Sequence, residues 1–235
     1  MIRISFIFLS LNFLFACTKK QSSVLPISYT PPVVAAPAKT YLALGDSYTI
    51  GQAVSETERF PQQTASWLRA NGINMVVVDY IATTGWTTSN LQNAINQRNP
   101  NNHDVVSLLI GVNDQYQLHD TTGYRERFTL LLQNAIQLAR GKKENVFVLS
   151  IPDYSVTPFA LYYDTARIRL EIDWFNSINI HVTEAYKIKY LDITASSRDA
   201  RNDRTLIATD GLHPSGVEYK KWADRLGPLM LPVLK

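Results

Sequence analysis

Five short apolar runs, separated by segments with helical periodicity, constrain the fold of this chain more than any other feature. The runs are rich in valine, isoleucine and leucine, and they occupy residues 40–45, 74–82, 104–112, 145–152 and 188–194. Near-continuous apolar runs are typical of parallel strands that helices cover on both faces. The alternation therefore predicts an α/β fold with a five-stranded parallel sheet between two layers of helices, an α/β/α sandwich.

Helix signals lie between the runs. Residues 122–140 and 165–186 carry apolar side chains at helical spacing, Gly72 is suited to end a helix, and Ser215 with Glu218 has the form of a capping box. In open parallel sheets, binding sites form beyond the carboxyl ends of the strands. A site is therefore expected among the loops 45–52, 83–88, 111–120, 152–164 and 195–214.

The first 39 residues have a different composition from the remainder. Residues 1–16 hold a basic Arg3 and an apolar run too short to span a membrane, which indicates a secretory signal. The end of this run, "LFAC", resembles the bacterial lipobox, in which the cysteine, here Cys17, is lipidated. The alternative is a plain cleaved signal with an incidental cysteine. The proline-rich residues 17–39 predict an extended tether.

This interpretation predicts three parts: a signal (1–16), a lipidated tether (17–39) and a folded domain (40–235). The protein would be exported and anchored to a bacterial membrane, on the periplasmic side or at the cell surface. The formal net charge is only +3 in 235 residues, without a dense basic patch, so nucleic-acid binding is not expected. A lone cysteine allows no intrachain disulfide. The sequence does not predict the oligomeric state.

The loops at the predicted edge contain the groups that acyl transfer requires. Ser47 offers a hydroxyl nucleophile, His213 a base that works near neutral pH, and Asp210 a carboxylate that orients the imidazole. The backbone N–H groups of Ser47 and Gly85, with the side-chain amide of Asn113, offer donors for an oxyanion.

The sequence at these positions resembles the SGNH, or GDSL, serine hydrolases from about residue 40 onward. The blocks "GDSYTIG", "GVND" and "DGLHPS" occur in the family's order, and Gly85 matches the remaining block by its place after the second strand. The resemblance implies a flavodoxin-like α/β/α fold and metal-free ester hydrolysis without a cofactor. It also implies Ser47 as the nucleophile, Asp210 and His213 as its partners, and Gly85 and Asn113 as oxyanion donors.

Aromatic and histidine side chains are the candidates for substrate contacts. They are Tyr48, Trp86, Tyr116, His119 and Tyr154, and residues 152–164 are the candidate specificity loop. His103, at the opposite edge of the sheet, is expected on the surface. No pair of histidines has the spacing of metal ligands, so no metal site is expected.

The sequence leaves two substrate types open. One is acetyl esters of glycans, and the other is lysophospholipids or short acyl esters. An alternative function is a tethered carbohydrate-binding module of the same fold without catalysis.

A flavin- or nucleotide-binding protein shares the predicted architecture, but Asp46 lies where a phosphate would be repelled. No G-x-S-x-G motif is present, so the nucleophile elbow of ordinary α/β-hydrolases is absent.

Overall fold

The computed structural model describes residues 1–2 and 37–235 of the chain. Residues 3–36, which hold the rest of the predicted signal, Cys17 and most of the predicted tether, lie outside the described residues. Of the helices described, none combines the length and the apolarity that crossing a membrane requires.

The five apolar runs form one parallel sheet. Its strands are β1 (Lys39–Gly45), β2 (Met75–Ala82), β3 (Val105–Leu109), β4 (Val146–Leu149) and β5 (Lys189–Leu191). All neighbours pair in parallel in the order β2-β1-β3-β4-β5. This is the strand order of flavodoxin-like folds, and the predicted fold class is confirmed.

Helices connect and cover the strands. They are α1 (Ser47–Ile50), α2 (Phe60–Ala70), α3 (Thr88–Arg98), α4 (Val112–Leu118), α5 (Tyr124–Leu138), α6 (Thr165–Ala185), α7 (Thr194–Ser197) and α8 (Gly216–Leu234). α2 packs against α8, whereas α3 packs against α5 and α5 against α6. The connection from β1 to β2 crosses the sheet in one direction, and the later connections cross it in the other. Because such crossovers are right-handed, the two sets lie on opposite faces: α2 and α8 form one outer layer, and α3, α5 and α6 form the other.

Buried aromatic rings pack between α2 and α8. Phe60 of α2 lies 6.2 Å from the ring of Tyr219 and 5.9 Å from that of Trp222, both on α8. All three side chains are fully buried. The predicted capping box of α8 forms only in part, since Ser215 accepts from the N–H of Glu218 while the Glu218 carboxylate accepts from the Trp222 indole at 2.8 Å.

One strand departs from the sequence prediction of burial on both faces. β2 is an edge strand, and its Val76 and Val77 are 52% and 38% exposed. The apolar pattern alone did not distinguish an edge from a centre, because only the strand order decides which strand lacks a second neighbour. Gly72, which was predicted to end a helix, lies just after α2 and has a positive φ of 87°.

The register of the central strands brings three loops to one place. Gly45, the last residue of β1, pairs with Ala82 at the end of β2 and with Leu109 at the end of β3. The chain therefore leaves all three strands at the same level of the sheet. β1 and β3 also flank the point where the strand order reverses, which is where open α/β sheets leave a crevice.

Candidate active site

Ser47 begins a one-turn helix two residues after β1. Asp46 caps this helix, and its Oδ1 accepts a hydrogen bond of 3.0 Å from the Tyr48 N–H. Gly45 is required for close approach rather than for a special backbone angle, since a Cβ there would collide with the Leu109 carbonyl and with Thr49. The hydrogen bond between Asp46 and Tyr48 anchors this turn.

The Asp46 side chain is fully buried, and its Oδ2 has no partner among the described residues. Burial raises the pKa of Asp46 to about 8, the nearby Asp114 adds to this shift, and the hydrogen bond from Tyr48 opposes it. At neutral pH this carboxyl group is therefore mostly protonated.

His213 is fixed by Asp210, which lies three residues before it. Asp210 Oδ2 lies 2.6 Å from His213 Nδ1, and Oδ1 accepts from the N–H groups of Leu212 and His213 at 3.0 Å each. Burial opposes ionisation of Asp210, but the hydrogen bonds from His213 and Leu212 outweigh it and lower its pKa. The carboxylate thus stays charged and directs the Nδ1 proton, which leaves Nε2 for other chemistry.

The predicted oxyanion donors lie on the loops after β2 and β3. Gly85 has φ 83°, a conformation that favours glycine, and a Cβ added there would meet nothing within 4 Å. Its N–H makes no hydrogen bond with the described part of the chain, and its carbonyl accepts from Gln117 at 3.0 Å. Asn113, in the first turn of α4, donates one amide hydrogen to the Trp86 carbonyl at 3.0 Å, so the other remains for a ligand.

A buried carboxylate joins these two donor loops, and the sequence analysis missed it. Asp114, 1% exposed, accepts from Thr88 N at 2.8 Å and Thr88 Oγ1 at 2.6 Å, and Arg127 lies 3.4 Å away. Thr88 begins α3, directly after the Gly85 loop, so Asp114 holds Gly85 and Asn113 in a fixed relation. Its place in "GVND" was visible in the sequence, but its partners were not.

The predicted nucleophile, base and oxyanion donors converge on one cavity of about 140 Å³. Ser47, Gly85, Asn113 and His213 all line it, although they come from four separate loops. Within the described residues, no hydrogen bond joins the Ser47 hydroxyl to His213. Such bonds are commonly long in enzymes without substrate and tighten when substrate binds.

The predicted substrate contacts divide into two groups. Tyr48, Tyr116 and Tyr154 line the cavity, and the Tyr48 ring meets His213 edge-on at 5.4 Å. Trp86 is half-buried against the core, and His119 lines a neighbouring cavity; neither is among the residues that line this one. Their substrate contacts stay predictions.

The 152–164 loop supplies walls of the cavity, as its position suggested. It folds into two 3₁₀ turns, Tyr154–Val156 and Pro158–Tyr162, and adds Phe159 to the lining. Phe159 was missed, since nothing in the local sequence separates it from the other aromatic residues of this loop.

Two further sequence expectations concern histidines and metals. His103 is buried rather than on the surface: its Nε2 lies 2.7 Å from the Asp79 carboxylate of β2, and its Nδ1 lies 2.9 Å from the Asn101 carbonyl. In the part of the chain that the structure describes, no three residues among His, Cys, Asp and Glu are grouped so as to hold a metal ion.

Solved structures with the same fold come from several esterases. A family 3 carbohydrate esterase from Clostridium thermocellum matches with a TM-score of 0.62 and 22% identity, over 84% of this chain and 98% of that one. A lipase/acylhydrolase from Enterococcus faecalis matches with a TM-score of 0.58 and 21% identity, over 83% and 94%. An acetyl xylan esterase matches with a TM-score of 0.60 and 16% identity, over 80% and 97%. These likenesses show the fold.

Among curated proteins, none matches the sequence of this chain. The model of the GDSL-like lipase/acylhydrolase family matches residues 43–221, a range that begins inside β1 and ends inside α8. It therefore includes all four loops of the cavity and most of the described residues. The chain belongs to the GDSL-like lipase/acylhydrolase family.

Proposed function

We propose that the protein is an exported serine esterase that hydrolyses carboxylic esters through an acyl-enzyme. The observation that carries this proposal is the shared cavity of Ser47, Gly85, Asn113 and His213, with Asp210 bonded to the histidine. Membership of a lipase and acylhydrolase family supports the reaction class.

The proposed reaction has two halves. In the first, Ser47 Oγ attacks the ester carbonyl carbon while His213 Nε2 takes the hydroxyl proton, and Asp210 stabilises the resulting imidazolium. The proton then passes to the leaving alcohol as the carbon–oxygen bond breaks. In the second half, His213 takes a proton from water, the hydroxide attacks the acyl-enzyme, and the proton returns to Ser47 as the acid leaves.

The negative charge on the carbonyl oxygen needs donors in both halves. The N–H groups of Ser47 and Gly85 and the free amide hydrogen of Asn113 are proposed for this role. The Asp114 network supports it, because donors that are held in place before reaction need no reorganisation when the charge develops.

Covalent labelling by a fluorophosphonate probe tests the proposal most directly. The protein is expected to react with the probe and to hydrolyse p-nitrophenyl acetate, and Ser47→Ala should abolish labelling and lower kcat by about 10⁶. Ser66→Ala, at an exposed serine of α2, is the matched control and should behave as the unaltered protein. Equal turnover by Ser47→Ala would show that another group attacks the ester.

The cavity volume bears on the acyl group. An apolar cavity of about 150 Å³ holds a molecule the size of benzene, and this one has about 140 Å³. An acetyl group fits within this volume, which supports acetyl esters of glycans as the substrate type. A series of p-nitrophenyl esters from acetate to palmitate should give the highest kcat/KM for the shortest acyl chains.

Export rests on sequence alone. The apolar run before Cys17 and its likeness to a lipobox support lipidation of this cysteine and attachment to a bacterial membrane.

The second candidate is a non-catalytic module that binds carbohydrate in the same crevice. Exposed aromatic residues near the cavity, among them Tyr162 at 90% exposure, are the observation that favours it. Tight binding of an oligosaccharide by a protein that no fluorophosphonate labels would select this alternative.

A further inference from the structure

A second cavity of about 370 Å³ adjoins the first. The two share Tyr116 and Tyr154, so these rings form a common wall. The other residues that line it are His119, Tyr163, Asp164, Arg167, Ile168 and Glu171. The volume lies within the range of small-molecule sites, and neither the triad nor the donors for the oxyanion use it.

Glu171, on α6, organises the polar side of this second cavity. Its side chain is only 5% exposed. Oε2 accepts from Gln115 at 2.7 Å and lies 2.8 Å from His119 Nδ1, while Oε1 accepts from Arg167 at 2.6 Å. Burial opposes ionisation, but these three partners outweigh it and lower the pKa of Glu171. A charged, fully bonded carboxylate holds its neighbours in defined positions.

The partners of Glu171 keep hydrogen-bonding atoms that the described residues do not use. The His119 side chain is 43% exposed, and its Nε2 has no partner there, since Nδ1 faces Glu171. The Arg167 side chain is 58% exposed and bonds Glu171 through Nε, which leaves both terminal nitrogens without a partner in the described chain. Bracing α4 against α6 would not require these unused hydrogen-bonding atoms.

Aromatic faces complete the cavity. The Tyr116 and Tyr163 hydroxyl groups lie 3.3 Å apart, and the Tyr163 ring stacks on Phe159 at 5.3 Å. Tyr116 and Tyr163 are 39% and 46% exposed. Rings that are packed on one side and exposed on the other present rigid apolar surfaces beside polar groups.

We propose that this second cavity binds a sugar ring in the alcohol part of the ester, so that the substrate is a short-acyl ester of an oligosaccharide. The inference rests on the proposed function, since the ester carbonyl must lie at Ser47 while the alcohol passes the wall formed by Tyr116 and Tyr154. Fixed donors and acceptors beside aromatic faces suit a polyol, which offers hydroxyl groups on its edge and C–H groups on its faces.

The charges of the cavity favour a neutral ligand over a phosphate headgroup. With His119 neutral, Arg167 brings one positive charge, and Asp164 and Glu171 bring two negative charges to the same lining. The lining then carries a net negative charge, which does not favour an anionic phosphate and leaves a neutral sugar unaffected.

The test compares two substrates that differ in the alcohol part. p-Nitrophenyl acetate reports the chemistry at Ser47, and a partially acetylated xylo-oligosaccharide reports both cavities. Arg167→Ala and Tyr163→Ala are each expected to lower kcat/KM for the acetylated oligosaccharide about tenfold relative to p-nitrophenyl acetate, the effect of one lost hydrogen bond or ring contact. Arg169→Ala, at an exposed position two residues along α6, is the matched control and should not change this ratio.

The outcomes separate the two proposals. An unchanged ratio in both variants would overturn the sugar site while leaving the esterase proposal intact. Preferred hydrolysis of lysophosphatidylcholine, reduced selectively by Arg167→Ala, would also overturn it and assign the second cavity to a lipid headgroup. Absence of hydrolysis by the unaltered protein would instead contradict the proposed function.

A binding measurement decides the sugar site even without turnover. Calorimetric titration of unacetylated xylo-oligosaccharide into the Ser47→Ala protein should give saturable binding that Tyr163→Ala weakens about tenfold. Thermal unfolding of each variant checks that the fold is intact, and Tyr163→Phe keeps the ring and should retain most of the affinity. Absence of binding to the folded Ser47→Ala protein would overturn the inference.

Discussion

The three-residue spacing between Asp210 and His213 allows one carboxylate to orient the imidazole. One carboxylate bonds both the Nδ1 of His213 and the backbone N–H groups of Leu212 and His213, so the turn and the imidazole are fixed by the same group. The pairing was predictable from "DGLHPS", because residues three apart in a turn are close in any fold. That Ser47 lines the same cavity was not a local property of either segment.

Removal of one proposed oxyanion donor provides a test at a single side chain. Asn113→Ala is expected to lower kcat by about 10²–10³ with a smaller effect on KM, because the donor acts mainly on the charge that develops in the transition state. Steady-state kinetics with p-nitrophenyl acetate measures this. Asn93→Ala, at an exposed position of α3, is the control, and equal kcat values for the two variants would contradict the role of Asn113.

The buried carboxyl group of Asp46 predicts a pH dependence of stability. Its pKa is raised to about 8 in the folded protein and is near 4 when unfolded, so between these values the folded state holds a proton that the unfolded state has released. Its contribution is complete below pH 4 and is lost as the pH rises through about 8. The free energy of unfolding should therefore fall over this range.

Asp46→Asn should remove that part of the slope, since the amide does not titrate and still accepts from Tyr48 N. Urea unfolding at pH 5, 6, 7 and 8 measures both proteins. Parallel profiles would mean that Asp46 is ionised in the folded protein at neutral pH.

At the scale of elements, the connection from β3 to α4 determines where Asn113 lies. The sequence predicted a loop at "GVND", whereas in the structure α4 begins at Val112, directly after Gly111. Gly111 has φ 124°, and a Cβ there would collide with the Tyr124 hydroxyl. Both the backbone angle and the contact across the fold require glycine, and only the first is a property of the local chain.

Gly111→Ala is expected to destabilise the protein by about 1–3 kcal/mol through this collision and the backbone strain. It should also lower kcat, because α4 carries Asn113. Urea unfolding and kinetics measure the two effects. Gly141→Ala, where φ is 75° and the surrounding space is open, should show the strain without the collision; an equal loss of stability in both variants would contradict the packing argument.

For the whole molecule, strand order decides the position of the site. β1 and β3 are neighbours although β2 intervenes in the sequence, and this reversal leaves the crevice that Ser47 and Asn113 face. The same order leaves β2 at the edge with Val76 exposed, which the near-continuous apolar pattern did not indicate.

The proposed anchor is tested on the whole chain in a bacterial host. Cys17→Ser should move the protein from the membrane fraction to the soluble fraction and abolish incorporation of a clickable fatty acid, because the acyl chains provide the attachment. Ser23→Ala, in the predicted tether, is the control. Membrane retention of Cys17→Ser, without fatty-acid labelling of either protein, would favour the plain signal interpretation.

The five-stranded α/β architecture, the Asp210–His213 pair and the shared sheet edge of Ser47, Gly85 and Asn113 were predictable from the sequence, because apolar periodicity locates the strands and the carboxyl ends of parallel strands lie at one edge. The Asp114 bridge, the Glu171 network and the exposure of β2 were not, because each depends on partners separated by many residues, and contacts of that kind exist only once helices and strands have packed.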